Sequence, residues 1–157
     1  MLRIKLIVVD RTRLSFLQEG EAFYLQRIRR YAPLEWIEVR PARMTKGRAG
    51  GDILQQEGQE ILRRLGPQDH PVALDRSGRA YDSEELAAWL GRLSQGGVEW
   101  LSFVIGGPLG LSEEVLKHSR EVLSLSRLTL THEMSRLLFL EQLYRAFTIL
   151  RGEKYHK

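Results

Sequence analysis

The residues able to do chemistry are few, and most of them lie in the last third of the chain. Gly106-Gly107-Pro108-Leu109-Gly110 follows an apolar run, Trp100–Ile105, and precedes Ser112, a helix-capping residue type. Glycines at such a turn let the backbone approach a bound molecule closely. The segment is not GxGxxG, and it lacks the Lys-Ser/Thr of a P-loop. Glu113 and Glu114 fall in the first turn of the helix that follows, where they already complement its dipole and repel phosphate. The loop therefore suits a ligand without phosphates. A plain strand-to-helix turn would look the same.

His132-Glu133 opens like HExxH, but the fifth residue is Arg136, so the zinc-protease pattern fails. His70, His118 and His156 show no metal-ligand spacing, and no metal is expected. There is no cysteine, which excludes disulfides, thiolate nucleophiles and thiolate metal sites together. Ser124, Ser126 and Thr129 read as turn and strand hydroxyls, and no serine sits in a nucleophile elbow. His132 alone reads most simply as a helix-start residue. The chain ends Arg-Gly-Glu-Lys-Tyr-His-Lys, an aromatic, a histidine and three cations in seven residues. Stacking plus charge is how proteins hold an unstacked base. A frayed polar tail is the simpler reading of the residues alone.

Something must position these residues, and the chain is long enough for one core to do so. At 157 residues, 43% apolar and 28% charged, it is a single globular domain over 1–157. No apolar run is long enough to span a membrane. The opening MLRIKLIVVD is charged too soon for a secretory signal, so a cytoplasmic protein is expected. The net charge of +4 is uneven: residues 1–50 carry +6 and residues 51–100 carry −4. Arg27, Arg29, Arg30, Arg40, Arg43, Lys46 and Arg48 form the densest basic stretch. It fits a phosphate-contacting patch, and equally a solvated helix face with a polar loop.

Periodicity supplies the scaffold. Leu2–Val9 and Leu34–Arg40 read as strands, with a helix over roughly 15–31 between them. Pro41–Gly51 is a polar, glycine-rich loop, and Asp52 opens a helix to about Leu65. Pro71–Leu74 reads as a short buried strand, and Asp75–Tyr81 as a loop turning at Ser77-Gly78. Asp82 with Glu85 resembles a capping box for a helix to about Leu93. Trp100–Ile105 has the continuous apolar pattern of a strand buried on both faces. Glu133–Leu150 is the strongest helix, with Met134, Leu137, Leu140, Tyr144 and Phe147 on one stripe. The order predicts an α/β fold, an open parallel sheet with helices on both faces. Such sheets bind ligands at the carboxyl ends of their strands. Three segments meet there: the loop after Leu74, the glycine loop after Ile105, and Leu125–Leu130.

Three stretches together carry a resemblance. They are the glycine loop after Val104-Ile105, the run SLSRLTLTHEMSRLLFLEQLYRAF, and the terminal ILRGEKYHK. They resemble the SPOUT-class ribosomal RNA large subunit methyltransferase H family over the whole chain. The N-terminal half matches more loosely, through its strand and helix pattern and Leu74-Asp75. Two residues depart from the family pattern: Asp10 stands where Gly usually follows the first strand, and Thr131 where Pro usually precedes the histidine.

The resemblance implies a C-terminal trefoil knot, which pattern reasoning alone would not propose. It also implies a homodimer packed through the knot, with S-adenosylmethionine held by Leu74, Gly106, Gly107, Leu125, Ser126, Arg127, Leu128, Thr129 and Leu130. The implied substrate is N3 of a pseudouridine in 23S rRNA of the assembled ribosome, with no DNA and no membrane involved. His132 would orient the base or accept its proton, and Arg145 would stabilise charge on a base carbonyl. Tyr155 and His156 would stack on or clamp the base, from the same chain or its partner. Arg43, Lys46 and Arg48 would contact rRNA. Two alternatives remain at this point: a SPOUT enzyme acting on another RNA such as tRNA, and a non-catalytic ribosome-binding factor.

Overall fold

The computed structural model describes residues 1–157. Five strands form one parallel sheet: β1 (Arg3–Val9), β2 (Leu34–Val39), β3 (Asp69–Ala80), β4 (Trp100–Ile105) and β5 (Glu121–Ser124). Their order across the sheet is β2-β1-β4-β3-β5. Three helices, α1 (Ser15–Ile28), α3 (Ser83–Gln95) and α5 (His132–Leu150), pack on one face. Two, α2 (Gly50–Leu62) and α4 (Glu113–His118), cover the other.

The continuous apolar runs are thus explained by burial on both faces. Along β1, Ile4, Leu6 and Val8 enter the larger core under α1, α3 and α5, while Ile7 and Val9 enter the smaller one. Along β4, Leu101, Phe103 and Ile105 alternate in the same way with Val104. The capping box forms as read: Asp82 Oδ1 accepts the Glu85 N–H at 2.8 Å, and Glu85 Oε2 accepts the Asp82 N–H at 2.8 Å. Ser112 caps α4 by accepting the Val115 N–H.

The structure corrects the sequence reading in three places. Residues 75–81 are not a loop: β3 continues to Ala80. It pairs with β5 through Leu74, breaks register, and resumes at Arg79 opposite Leu123. Ser77-Gly78 is the irregularity in this strand rather than a turn. Asp75 accepts both the N–H and the hydroxyl of Ser77 there. A Cβ on Gly78 would sit 2.5 Å from the Val122 carbonyl group, so only glycine allows β5 this close. Second, α1 ends at Ile28 and α2 runs from Gly50 to Leu62, each about three residues short of its expected C-terminus. Third, the buried stripe of α5 is Arg136, Phe139, Leu140, Leu143, Ala146 and Phe147. Met134, Leu137 and Tyr144 lie half-buried at its margin. An arginine inside the stripe rotated the apparent apolar face.

Asp10 adopts φ 70°, the left-handed region that glycine enters freely. This explains the unusual residue after β1. Asp is among the few side chains that tolerate this conformation. Here its carboxylate accepts the Arg11 N–H and pairs with Arg13 at 2.8 Å.

Candidate functional site

A cavity of about 360 Å³ opens at the carboxyl ends of β4 and β5, beside the irregular middle of β3. Three loops build it. The glycine loop after β4 is one, and its shape depends on small residues. A Cβ on Gly106 would collide with the Gly110 carbonyl, and Gly110 itself has φ 87°. The Gly110 N–H closes the turn on the Gly107 carbonyl at 3.0 Å. The second is the β5–α5 loop, ordered by hydroxyls. Ser124 donates to the Ser126 carbonyl, and the Leu128 N–H donates to Ser126 Oγ, each at 3.0 Å. The third is the irregular part of β3, where Arg76 donates to Thr129 Oγ1 at 2.7 Å and ties this segment to the second.

The residues expected to hold the cofactor meet here with one exception, and His132 joins them. Leu74, Gly106, Gly107, Leu125, Ser126, Leu128, Thr129, Leu130 and His132 all line the cavity. Arg127 does not; its neighbours on both sides face in while it lies outside the lining. Asp75, Arg76 and Ser135 line it as well and were not named individually. The first two belong to the segment after Leu74, which was expected at this end of the sheet although neither residue was singled out. Ser135 is one helical turn from His132, and that spacing was the available signal.

Thr131 caps α5 by accepting the Met134 N–H at 3.2 Å, which accounts for a residue other than Pro before the histidine. His132 is therefore the first residue of the helix and faces the cavity. Burial holds its pKa below the ordinary imidazole value, and the Arg136 guanidinium adds to this. Glu133 and Asp10 oppose both without cancelling them. The imidazole is consequently neutral near pH 7 and able to accept a proton.

Arg145, Tyr155 and His156 form a second cluster. The C-terminal segment is packed against α5 rather than frayed. Tyr155 donates to Glu141 Oε1 at 2.9 Å, and Arg145 pairs with the same carboxylate at 2.6 Å. The Arg145 guanidinium lies 4.7 Å from the Tyr155 ring centroid, and its Nη1 is 3.2 Å from His156 Nδ1. Tyr155 packs edge-on against Tyr144, and Glu153 accepts from the Tyr31 hydroxyl. Burial and Glu153 push the Tyr31 phenol up to about 12, and burial and Glu141 raise that of Tyr155. Glu141 organises the cluster and was missed, although its i,i+4 spacing to Arg145 on a helix was visible. Arg145 is 13 residues beyond His132 on one helix, roughly 20 Å along its axis. Within one chain the two groups are separate.

The basic loop between β2 and α2 leaves the same carboxyl end of the sheet, from the edge strand β2. Arg43 and Lys46 are exposed. Arg48 is not free: it donates to the Arg43 carbonyl and to Gln56, which folds the loop on itself. Gly50, at the loop's end, approaches Leu109 of the glycine loop.

A family model described as a predicted SPOUT methyltransferase matches residues 2–156. The ribosomal RNA large subunit methyltransferase H of Rubrobacter xylanophilus is 49% identical, with 98% of each chain covered. Its namesake from Symbiobacterium thermophilum is 44% identical over 99% of this chain and all of that one. Among solved structures, a probable methyltransferase from Bordetella pertussis superposes with a TM-score of 0.53 at 16% identity. It covers 92% of this chain and 96% of its own, and supports the fold alone. No helix is long and apolar enough to cross a membrane. By the span of the family match and the identity of these relatives, the chain belongs to the SPOUT methyltransferase family.

Proposed function

We propose that this enzyme transfers the methyl group of S-adenosylmethionine to N3 of a pseudouridine in 23S rRNA, on the assembled ribosome in the cytoplasm. The observation that carries this reading is the cavity. It gathers the glycine loop, Leu74, His132 and most of the 125–130 segment at the carboxyl end of the sheet, in a chain whose relatives bear the name of a ribosomal RNA methyltransferase. Its lining fits the cofactor. Leu74, Ile105, Leu125, Leu128 and Leu130 offer apolar walls for an adenine, and the glycines leave backbone polar groups within reach. Glu113 and Glu114 at the start of α4 disfavour phosphates, and this cofactor has none.

Once bound, the cofactor supplies an activated methyl group on a positively charged sulfur. The remaining work falls to the protein. N3–H of the base is an imide that must lose its proton before it can attack. His132, neutral and facing the cavity, accepts that proton or holds the base in line. Arg145 stabilises the negative charge that develops on a flanking carbonyl. Tyr155 and His156 clamp the flipped base. Within one chain these groups lie too far from His132 to share a base. A homodimer packed through α5 and the knot resolves this, with the second cluster supplied by the partner subunit. Leu138 on α5 and Phe16 and Phe23 on α1 are exposed apolar residues available for such packing. The knot would be made by the segment after β5, which leaves the sheet edge and returns as α5 between α1 and α3.

The test is transfer of labelled methyl to ribosomes lacking this modification, with the product mapped by mass spectrometry. One methylated pseudouridine in 23S rRNA is the expected result. Transfer to tRNA alone would favour the related RNA enzyme. Neither transfer nor cofactor binding would favour a non-catalytic ribosome factor. Arg43 and Lys46 are exposed in the loop whose end, Gly50, approaches Leu109, and are assigned to rRNA contact together with Arg48. Neutralising all three should weaken ribosome binding and reduce the slope of log affinity against log salt by roughly 2. An unchanged slope in a salt titration would return this loop to a solvated surface.

A further inference from the structure

Arg136 is the largest fully buried side chain of the molecule. It lines no part of the cavity, and the methyl-transfer steps give it no task. Its Nη2 donates to the Val9 carbonyl, the last residue of β1, at 2.5 Å. Its Nη1 donates to Thr12 Oγ1 at 2.9 Å, and the Thr12 hydroxyl in turn donates to Glu21 of α1 at 2.7 Å. One turn earlier on the same helix, Glu133 accepts the N–H groups of Arg13 and Leu14 at 2.8 and 3.2 Å. Residues 9–14 are thus bound to the first two turns of α5 by four hydrogen bonds.

Stability alone does not explain this arrangement. A buried guanidinium costs desolvation that an apolar side chain of similar length avoids. Arg136 Nε is buried with no partner at all, which adds to the cost. Geometry offers a better reason. Val9 packs against Gly107, where a Cβ added to the glycine would lie 3.4 Å from Val9 Cγ1. His132 precedes Arg136 by one helical turn. The guanidinium therefore spans from the helix that carries His132 to the strand end that backs the glycine loop.

We propose that Arg136 is a positioning residue of the methyl-transfer site. It clamps the His132 end of α5 to the carboxyl end of β1, and through Val9 it fixes His132 relative to Gly107. The kinetic readout rests on the reaction proposed above; the spectroscopic one does not. Around His132 the charged groups are Glu133 and Arg136 on its own helix and Asp10 from the loop after β1.

Two variants separate clamping from charge. Arg136→Lys keeps a cation but has one donor head where the fork had two arms. Arg136→Met fills the space without charge. Both should fold and bind cofactor within about threefold of wild type. Both should lose about 10²-fold in kcat, the scale of a 1 Å displacement at a reacting group. The His132 ring signals in NMR should move in both variants, and the titration midpoint should rise only in Arg136→Met, where the neighbouring cation is gone. If neither variant folds, Thr12→Val, which removes one anchor, should show a smaller loss of the same kind. A kcat within twofold of wild type in the folded variants would overturn the clamp. So would unmoved His132 signals, including in the case where wild type fails to methylate ribosomes, a failure that would count against the substrate instead.

Discussion

Replacing His132 with Ala should cut turnover by about 10²- to 10⁴-fold, the range for removal of a positioned general base, while cofactor binding stays near wild type. His132 is one of many lining residues, and the leucines and glycines that would hold an adenosine remain in place. The pH dependence gives a second, sharper readout. Burial and Arg136 hold the imidazole pKa below 6.5, and only its neutral form accepts a proton. The sign follows: rate should be constant through neutral pH and fall as the solution is acidified past that lowered pKa. The acid limb should therefore lie below pH 6.5, and it should be absent in His132→Ala. Single-turnover methyl transfer across pH checks both statements. Turnover unchanged in the Ala variant would leave His132 as a helix-start residue and pass proton removal to the solvent or to the second cluster.

The sheet, its parallel sense and the location of the cavity were legible because they rest on short-range chemistry. Runs such as Leu2–Val9 and Trp100–Ile105 are apolar on both faces, which demands cover on both sides. Asp82-x-x-Glu85 and Ser112 announce helix starts through donors that any helix must satisfy. What escaped was set by contacts between distant segments. The extension of β3 to Ala80 depends on β5 reaching over Gly78, and a glycine after a serine reads as a turn when the partner strand is unknown. Arg136 escaped for a related reason. Charged residues are assigned to the solvent side of a helix, and only the folded chain brings the Val9 carbonyl and Thr12 within reach, more than 120 residues away. Arg127 is a different case: it sits within a run whose other members line the cavity while it lies outside that lining, a distinction that only the folded loop makes.

Co-expressing His132→Ala with Arg145→Gln should restore activity that neither variant has alone. In a two-fold dimer each residue contacts its counterpart's environment reciprocally, so helices crossing antiparallel bring the start of one α5 toward the later turns of the other. That arrangement would close the roughly 20 Å that separates His132 from Arg145 along one helix. If each working site takes His132 from one subunit and the Arg145–Tyr155–His156 cluster from its partner, a mixed dimer contains one site with both defects and one with neither. Random pairing makes about half of the dimers mixed, so about a quarter of wild-type activity should return. Each variant alone should retain about 1% or less, because loss of one donor that stabilises developing charge costs 10²- to 10³-fold. The mixture discriminates because its outcome depends only on which chain supplies which group. If the packed tail acts on its own subunit's cavity, every site in every dimer carries one defect, and the co-expressed enzyme stays as inactive as its parents. Size measurement on the same preparation closes the remaining gap: a monomer that methylates ribosomes would require the tail to leave Glu141 and Tyr144 and cross to His132 in the same chain.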